Sequence, residues 1–377
     1  MPILRYIAML TGTGVLLALA ATILLPAPGA PAGPPATTVA SSDLERFEFA
    51  EVHMAMRVRI VLYAPDRVTA SDAATAAFAR IADLEDILSD YRTGSELRRL
   101  EERPGEWVAA SEELFTAMEA ALEMARLTDG AFDPTVGPVS RLWRDARRAG
   151  RLPSPFAIDS ARALTGWEKL ALDADRKAIR VGAPGMRLDL GGIAKGYILD
   201  EALHAAAVRG VDRVLLEAGG DIRVGAPPPR VYGDTAPEGW RIRMGSGPAS
   251  GEARAGEADD APAEVLPREL PPSLARRAGA LREAALATSG SDAQFLEVDG
   301  VRYSHILDPR TGLGVTHHLT ATVIAPTGML ADALATALSV LSLEEGTQLL
   351  AQFPEVEAAV HSWDTRSASL PESGAPR

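Results

Sequence analysis

Four short segments of this chain carry side chains that chemistry could use. The first, Asp129-Gly130-Ala131-Phe132-Asp133-Pro134-Thr135-Val136-Gly137-Pro138, sets an aromatic between carboxylates in a turn-forming sequence. Such a segment either turns the chain after a helix or flanks a planar ligand. The second, Arg187-Leu188-Asp189-Leu190-Gly191-Gly192-Ile193-Ala194-Lys195-Gly196-Tyr197, runs from an apolar stretch through two glycines into a helix. Glycine lets the backbone approach a ligand. A helix start offers unpaired N–H groups and a positive dipole end that suit phosphate, and Lys195 adds charge. A tight strand-to-helix turn is the plain alternative, and neither G-x-x-x-x-G-K-[ST] nor G-x-G-x-x-G is convincingly present. The third, Tyr303-Ser304-His305-Ile306-Leu307-Asp308-Pro309-Arg310-Thr311-Gly312, brings a histidine and an aspartate close together. Histidine is the natural general base near neutral pH, although a lone one is often structural. The fourth, Ala331-Asp332-Ala333-Leu334-Ala335-Thr336-Ala337-Leu338, spaces Asp332 and Thr336 four apart, so their oxygens share a helix face. Among small apolar neighbours those oxygens need partners. A hard cation such as Mg²⁺ is one; the alternative is Thr336 bonding back to the helix and Asp332 serving as a cap. Of the remaining histidines, His53, His204, His317, His318 and His361, the adjacent pair would point to opposite faces of a strand and reads as non-ligating.

These segments need elements to hold them. Arg46 to Tyr63 alternates and reads as a strand. Ser71 to Ser89 and Ser111 to Thr128 have helical spacing behind serine caps, and Asp129-Gly130 ends the second. Ala178 to Val181, Met186 to Leu190 and Arg213 to Ala218 read as strands, and Ile193 to Val208 as a helix. Strands resume from Ala284 to Ala325. Met329 to Phe353 reads as helix and Glu357 to His361 as a last strand. Gly245 to Gly279 is rich in Ala, Pro, Gly and Glu and reads as a solvated insertion. Helices and strands mix without βαβ alternation, which predicts an α+β fold. No internal repeat is apparent.

Composition narrows the field. The chain has 377 residues, 38 Lys+Arg against 51 Asp+Glu, a net charge of −13, and no cysteine. The acidic total argues against nucleic-acid binding. The missing cysteine excludes disulfides, thiolate catalysis, Cys-based metal sites and a lipid-modified cysteine. Tyr6 to Leu25 carries no charge and follows Arg5, so residues 1–25 read as a signal peptide or membrane anchor. Residues 26–45 read as a flexible linker, 46–363 as the functional domain with the 245–279 insertion, and 364–377 as a disordered tail. Either form of the leader implies export, with the domain periplasmic or anchored to the inner membrane and facing the periplasm.

Taken in order, the four segments, together with Gly219-Gly220-Asp221-Ile222 and Thr288-Ser289-Gly290, resemble the ApbE family of FAD:protein FMN transferases over about residues 47–361. The resemblance implies an α+β, T-fold-like module with FAD in a cleft between two parts. It implies Mg²⁺-dependent transfer of FMN from FAD to a Thr or Ser hydroxyl of an acceptor protein, such as a respiratory electron-transfer subunit, with release of AMP. By that resemblance Asp332, Thr336 and the Gly192 carbonyl bind Mg²⁺. Met54, Tyr91, Ala131, Phe132, Asp133, Asp189, Lys195 and the backbone at Leu307 contact FAD. His305, with Asp308 nearby, is the candidate base. Where the family often has Met-Gly-Thr, this chain has Met54-Ala55-Met56. Alternative readings are an FAD-binding protein, an FAD pyrophosphatase yielding FMN and AMP, or a maturation factor dedicated to one respiratory complex such as nitrous oxide reductase.

Overall fold

The structure of the chain, a computed structural model, describes residues 43–229, 239–242, 274, 278–290, 294–316 and 319–362. The expected anchor, nearly all of the linker, His317-His318, the tail and most of the insertion lie outside the described residues.

The predicted first strand is a hairpin. β1 (Glu45–His53) pairs with β2 (Met56–Ala64) and sets His53 opposite Met56. Met54 and Ala55 form the two-residue turn, with φ of 51° and 59°. A turn with positive φ at both positions matches the twist of the strands, and alternation continues through it, which hides it from a pattern search. β2 then pairs with β6 (Val214–Ala218), and the sheet continues through β7 (Asp221–Val224), β8 (Ala284–Gly290), β13 (Leu319–Ala325) and β14 (Glu357–Ser362). All six pairings are antiparallel.

Strand alternation divides the core in two. Val58, Ile60 and Leu62 of β2 and Val214 and Leu216 of β6 face one side. There they meet α1 (Arg67–Leu88), α6 (Ala194–Val208) and α7 (Gly328–Leu338). Burying each large apolar side chain contributes about 1.5–3 kcal/mol. Val61, Leu215, Ile222 and Val224 face the other side, against Trp240, Ile242, Leu274 and Ala278. Leu274 and Ala278 belong to the span expected to be a solvated insertion, so its C-terminal end is packed core.

A second part sits beside this sheet. It contains α2 (Glu96–Glu101), α3 (Glu112–Leu127), α4 (Gly137–Ala149) and α5 (Pro155–Ala163), with a small sheet of β3 (Val108–Ala109), β4 (Leu170–Asp173) and β5 (Ala178–Val181). The hairpins β9 (Phe295–Val298) with β10 (Val301–Ser304) and β11 (Leu307–Asp308) with β12 (Leu313–Gly314) complete it. α4 and α5 went unpredicted, yet α4 carries proline in its first turn and buries Val139, Trp143 and Ala146, a helical stripe. Two further expectations are corrected. Met186 to Leu190 is not a strand; it makes one parallel bridge, Arg187 to Val136. The long C-terminal helix is broken: α7 ends at Leu338, and a capping box of Ser342 and Glu345 starts α8 (Leu343–Leu350).

Candidate active site

α6 and α7 cross at two glycines. A Cβ on Gly196 would lie 2.0 Å from the Gly328 carbonyl oxygen, and one on Gly328 would lie 2.4 Å from that of Gly196. Each helix carries an aspartate four residues beyond its glycine, and each aspartate caps the other helix. Asp332 Oδ2 accepts from Gly196 N–H at 3.0 Å. Asp200 Oδ1 and Oδ2 accept from the N–H groups of Gly328 and Met329 at 2.8 and 2.9 Å. This Gly-x-x-x-Asp is doubled, and its identical spacing in two helices is the signal that marks it in the sequence. It also revises the phosphate expectation for the α6 start, because a carboxylate of the same chain already occupies the Gly196 N–H.

β7 supplies the countercharges. Its alternation points Ile222 and Val224 to one core and Asp221 and Arg223 to α6. Lys195 Nζ donates to Asp221, and Arg223 Nε donates to Asp200 Oδ1 at 2.6 Å. Asp221 Oδ1 also accepts from the N–H of Thr288 at 3.1 Å. Burial opposes the charge on Lys195, but Asp221 and Asp332 together hold its ammonium above the ordinary range. Burial pushes the Asp332 carboxyl up to about 7, with Lys195 opposing and Asp221 adding to the rise.

Gly192 brings the remaining oxygens close. A Cβ there would lie 2.8 Å from Thr336 Cγ2 and 3.0 Å from both Thr336 Oγ1 and Phe132 Cε2. The Thr336 hydroxyl has no hydrogen bond among the described residues, so the expected alternative of bonding back to its helix is not what the structure contains. Asp332 Oδ1 likewise has no hydrogen-bond partner among them. Thr336 Oγ1 thus lies beside the Gly192 backbone, one helical turn from Asp332, and oxygen donors of this kind suit a hard cation.

The segment after α3 packs against Gly192 through Phe132. Thr128 Oγ1 accepts from the Phe132 N–H at 3.0 Å and donates to the Met124 carbonyl at 2.8 Å. Asp133 Oδ1 accepts from Thr135 N and Oγ1 at 2.7 and 2.6 Å, and its Oδ2 accepts from Trp167 N at 3.1 Å. Asp133 Oδ1 is thus engaged inside the turn and Oδ2 by the Trp167 backbone, and burial pushes its carboxyl up against those hydrogen bonds. Ala131 and Phe132 are buried. Asp189 N–H donates to the Pro134 carbonyl at 2.8 Å, tying the first segment to the second. Glu101 of α2 does the same from the other side, accepting from Leu188 N–H and the Arg187 guanidinium, both at 2.7 Å.

Tyr91 is 74% exposed, with the Arg144 guanidinium 4.3 Å from its ring centroid. Arg144 donates to Asp90 at 2.7 Å and to Asp189 at 3.3 Å, and Asp189 accepts from Gly191 N–H at 2.9 Å. Burial, with the Asp189 charge adding, pushes the Asp90 carboxyl up to about 6 despite Arg144. Beside Tyr91 a groove of about 700 Å³ opens, lined by Arg92, Thr93, Gly94, Ser95 and Arg99 among others. Met54 sits in the hairpin turn and packs on the core, while the Met56 sulfur lies over Gly219, 2.8 Å from where a Cβ would be.

The loop bearing His305 is fixed on α4 and α5. Trp143 Nε1 donates to the Gly312 carbonyl at 2.8 Å, and Arg162 donates to that of Arg310 at 2.7 Å. The Gln294 carbonyl accepts from His305 N–H at 2.8 Å and lies 3.2 Å from Nδ1. With Nδ1–H as that donor, Nε2 keeps its lone pair, and it has no partner among the described residues. Burial holds the imidazole below its ordinary 6.5, and the Arg147 charge adds to this. Asp308 does not serve the histidine. Its carboxylate accepts from the Arg310 backbone at 2.9 Å and from the Arg310 guanidinium at 3.0 and 3.2 Å, fixing the turn, while Leu307 pairs with Gly314.

Among the described residues, a seven-stranded antiparallel sheet, crossed capping helices, unpartnered side-chain oxygens at Asp332 and Thr336, an exposed tyrosine ring and a histidine with an unpartnered Nε2 make up the candidate site. The ApbE family model matches residues 54–360, and the chain belongs to that family. It is 31% identical over 297 residues to the FAD:protein FMN transferase of Treponema pallidum, covering 74% of each chain. Over 270 residues it is 31% identical to the FAD:protein FMN transferase of Vibrio cholerae, covering 71% of this chain and 72% of that one. Among solved structures it matches the ApbE protein of Thermotoga maritima, with a TM-score of 0.68 and 28% identity, covering 86% of this chain and 97% of that one. The flavin transferase ApbE of Vibrio cholerae matches with a TM-score of 0.68 and 26% identity, covering 88% and 98%.

Proposed function

We propose that this chain transfers FMN from FAD to a Thr or Ser hydroxyl of an acceptor protein, leaving a phosphoester-linked flavin and releasing AMP. The observation that carries the reading is the close approach of the Gly192 backbone to Thr336, one helical turn from Asp332, in a family whose relatives are named FAD:protein FMN transferases. FAD lies in the cleft between the sheet core and the part built on α4 and α5, in a T-fold-like module, with its ring on Tyr91. His305 Nε2 accepts the proton of the acceptor hydroxyl. That oxygen attacks the flavin-side phosphorus, the bond to the bridging oxygen breaks, and AMP departs with the bridging oxygen. The residues otherwise position and stabilise charge, as phosphoryl transfer requires.

Asp332 Oδ1, Thr336 Oγ1 and the Gly192 carbonyl fit Mg²⁺, because all three are oxygens and neither side-chain oxygen has another partner among the described residues. Bound there, the ion would offset charge on the diphosphate and the departing AMP. Lys195 holds Asp221 in place and places a positive charge beside Asp332. The uncharged Tyr6 to Leu25 run supports export, with catalysis on the periplasmic side and a respiratory electron-transfer subunit as acceptor.

The test incubates the protein with FAD, Mg²⁺ and an acceptor domain bearing a D-G-x-[ST]-G-A-[ST] segment. In-gel flavin fluorescence and a mass gain of one FMN are expected. Tight FAD binding without labelling of any acceptor would overturn transfer, and release of FMN and AMP in its place would identify a hydrolase. Asp332→Ala is expected to abolish Mg²⁺ stimulation with the fold intact.

A further inference from the structure

Arg144 and Arg147 stand three residues apart on α4, so they share a face one turn apart. Their surroundings differ. Arg144 is paired with Asp90 and Asp189 and stacked on Tyr91. Arg147 is half-buried and has no hydrogen bond or ion pair among the described residues. A guanidinium brings five donors and no acceptor, so a half-buried one beside a like charge is favoured by an anionic partner. Burial and the neighbouring Arg144 charge lower the affinity of Arg147 for its proton, and its own charge acts on both Tyr91 and His305. It stands one turn along the helix face whose Arg144 stacks on the ring platform, where an oxyanion would complete it. A planar fork matches phosphate oxygens in bidentate geometry.

We infer that Arg147 is a binding residue for the diphosphate of the flavin dinucleotide, whereas Arg144 serves only to present the Tyr91 ring. The inference rests on the flavin-transfer reading and adds to it the residue that distinguishes a phosphorylated flavin from a bare one. Isoalloxazine stacking is common to FAD and riboflavin; the diphosphate belongs to FAD alone. The two arginines therefore leave different signatures.

The experiment titrates the whole protein with FAD and, separately, with riboflavin, following quenching of flavin fluorescence. Arg147→Gln is expected to weaken FAD binding by about 10- to 100-fold, the range for a lost charge-assisted hydrogen bond, and to leave riboflavin binding unchanged. Arg147→Lys is expected to retain part of the preference for FAD, since it keeps the charge and loses the fork. Arg144→Gln is expected to weaken both ligands together. Retained riboflavin binding also certifies that the Arg147 variants are folded, and a thermal midpoint does so for Arg144→Gln. If Arg147→Gln leaves the FAD-to-riboflavin affinity ratio unchanged, or lowers both affinities equally, the inference is overturned. If it fails to fold, Arg147→Lys and added salt decide: a wild-type preference for FAD that neither reduces also overturns it. A wild-type protein that binds no FAD overturns the flavin reading itself, and the inference with it.

Discussion

Asp200→Asn tests the reciprocal caps most directly. The Asp200 side chain is fully buried, and Arg223, its partner at 2.6 Å, is 9% exposed. Its oxygens accept from three donors: the Arg223 guanidinium and the N–H groups of Gly328 and Met329. Asparagine offers one oxygen and one amide nitrogen. Either orientation turns a donor toward a donor and removes the anion facing Arg223. Breaking a buried pair from one side costs about 3–5 kcal/mol, and an orphaned N–H costs about 1–3 kcal/mol. The two penalties share groups and do not add, so we expect a loss of about 4 kcal/mol, a large part of the 5–15 kcal/mol typical of a folded protein. Urea denaturation reads it as a lowered midpoint at unchanged slope. Adding Arg223→Met removes the stranded cation and should recover about 2 kcal/mol. A single-variant loss under about 1 kcal/mol, or no recovery in the double variant, would show that water answers Arg223 and that the α7 start does not depend on Asp200.

Other outcomes follow from the same geometry. The Asp332 carboxyl is raised to about 7 from an ordinary 3.8, so its neutral form favours the metal-free fold. That contribution is complete below about pH 4 and is lost as pH rises through 7. Thermal midpoints between pH 5 and 8 should fall in chelator, stay level with excess Mg²⁺, and stay level in Asp332→Asn. His305 lies below its ordinary 6.5, so the acid limb of kcat/KM should fall below pH 6.5, and His305→Gln should bind FAD without labelling the acceptor. Ala55 holds a φ of 59°, which costs a residue with a Cβ about 1–2 kcal/mol. Ala55→Gly should raise the thermal midpoint by the equivalent of about 0.5 kcal/mol, after the added freedom of glycine in the unfolded chain.

Local patterns carried much of this structure. The spacing of Asp332 and Thr336 placed both on one helix, and the Gly191-Gly192 pair marked the approach of backbone to that helix. Strands such as Val214–Ala218 and the helix Ala194–Val208 were legible to within a residue. What could not be read locally were partnerships across long separations. Asp308 and His305 are near in sequence, but Arg310 competes for the carboxylate and wins through a bidentate contact. The contact of Asp133 with the backbone of Trp167, far along the chain, has no local signal either. The hairpin turn escaped because Met54-Ala55 lacks the Asn-Gly chemistry that usually announces positive φ.

The reciprocal caps also bear on the insertion. They join residues 136 and 128 positions apart, and the insertion lies within that span. Closing a chain loop costs entropy that grows only with the logarithm of its length, about 0.6 kcal/mol for each doubling. Against that slowly growing cost, the caps and the close approach of the two glycines hold the ends of the span together. The crossing therefore acts as a clasp that keeps Asp332 and Thr336 beside the start of the other helix across a long stretch of chain.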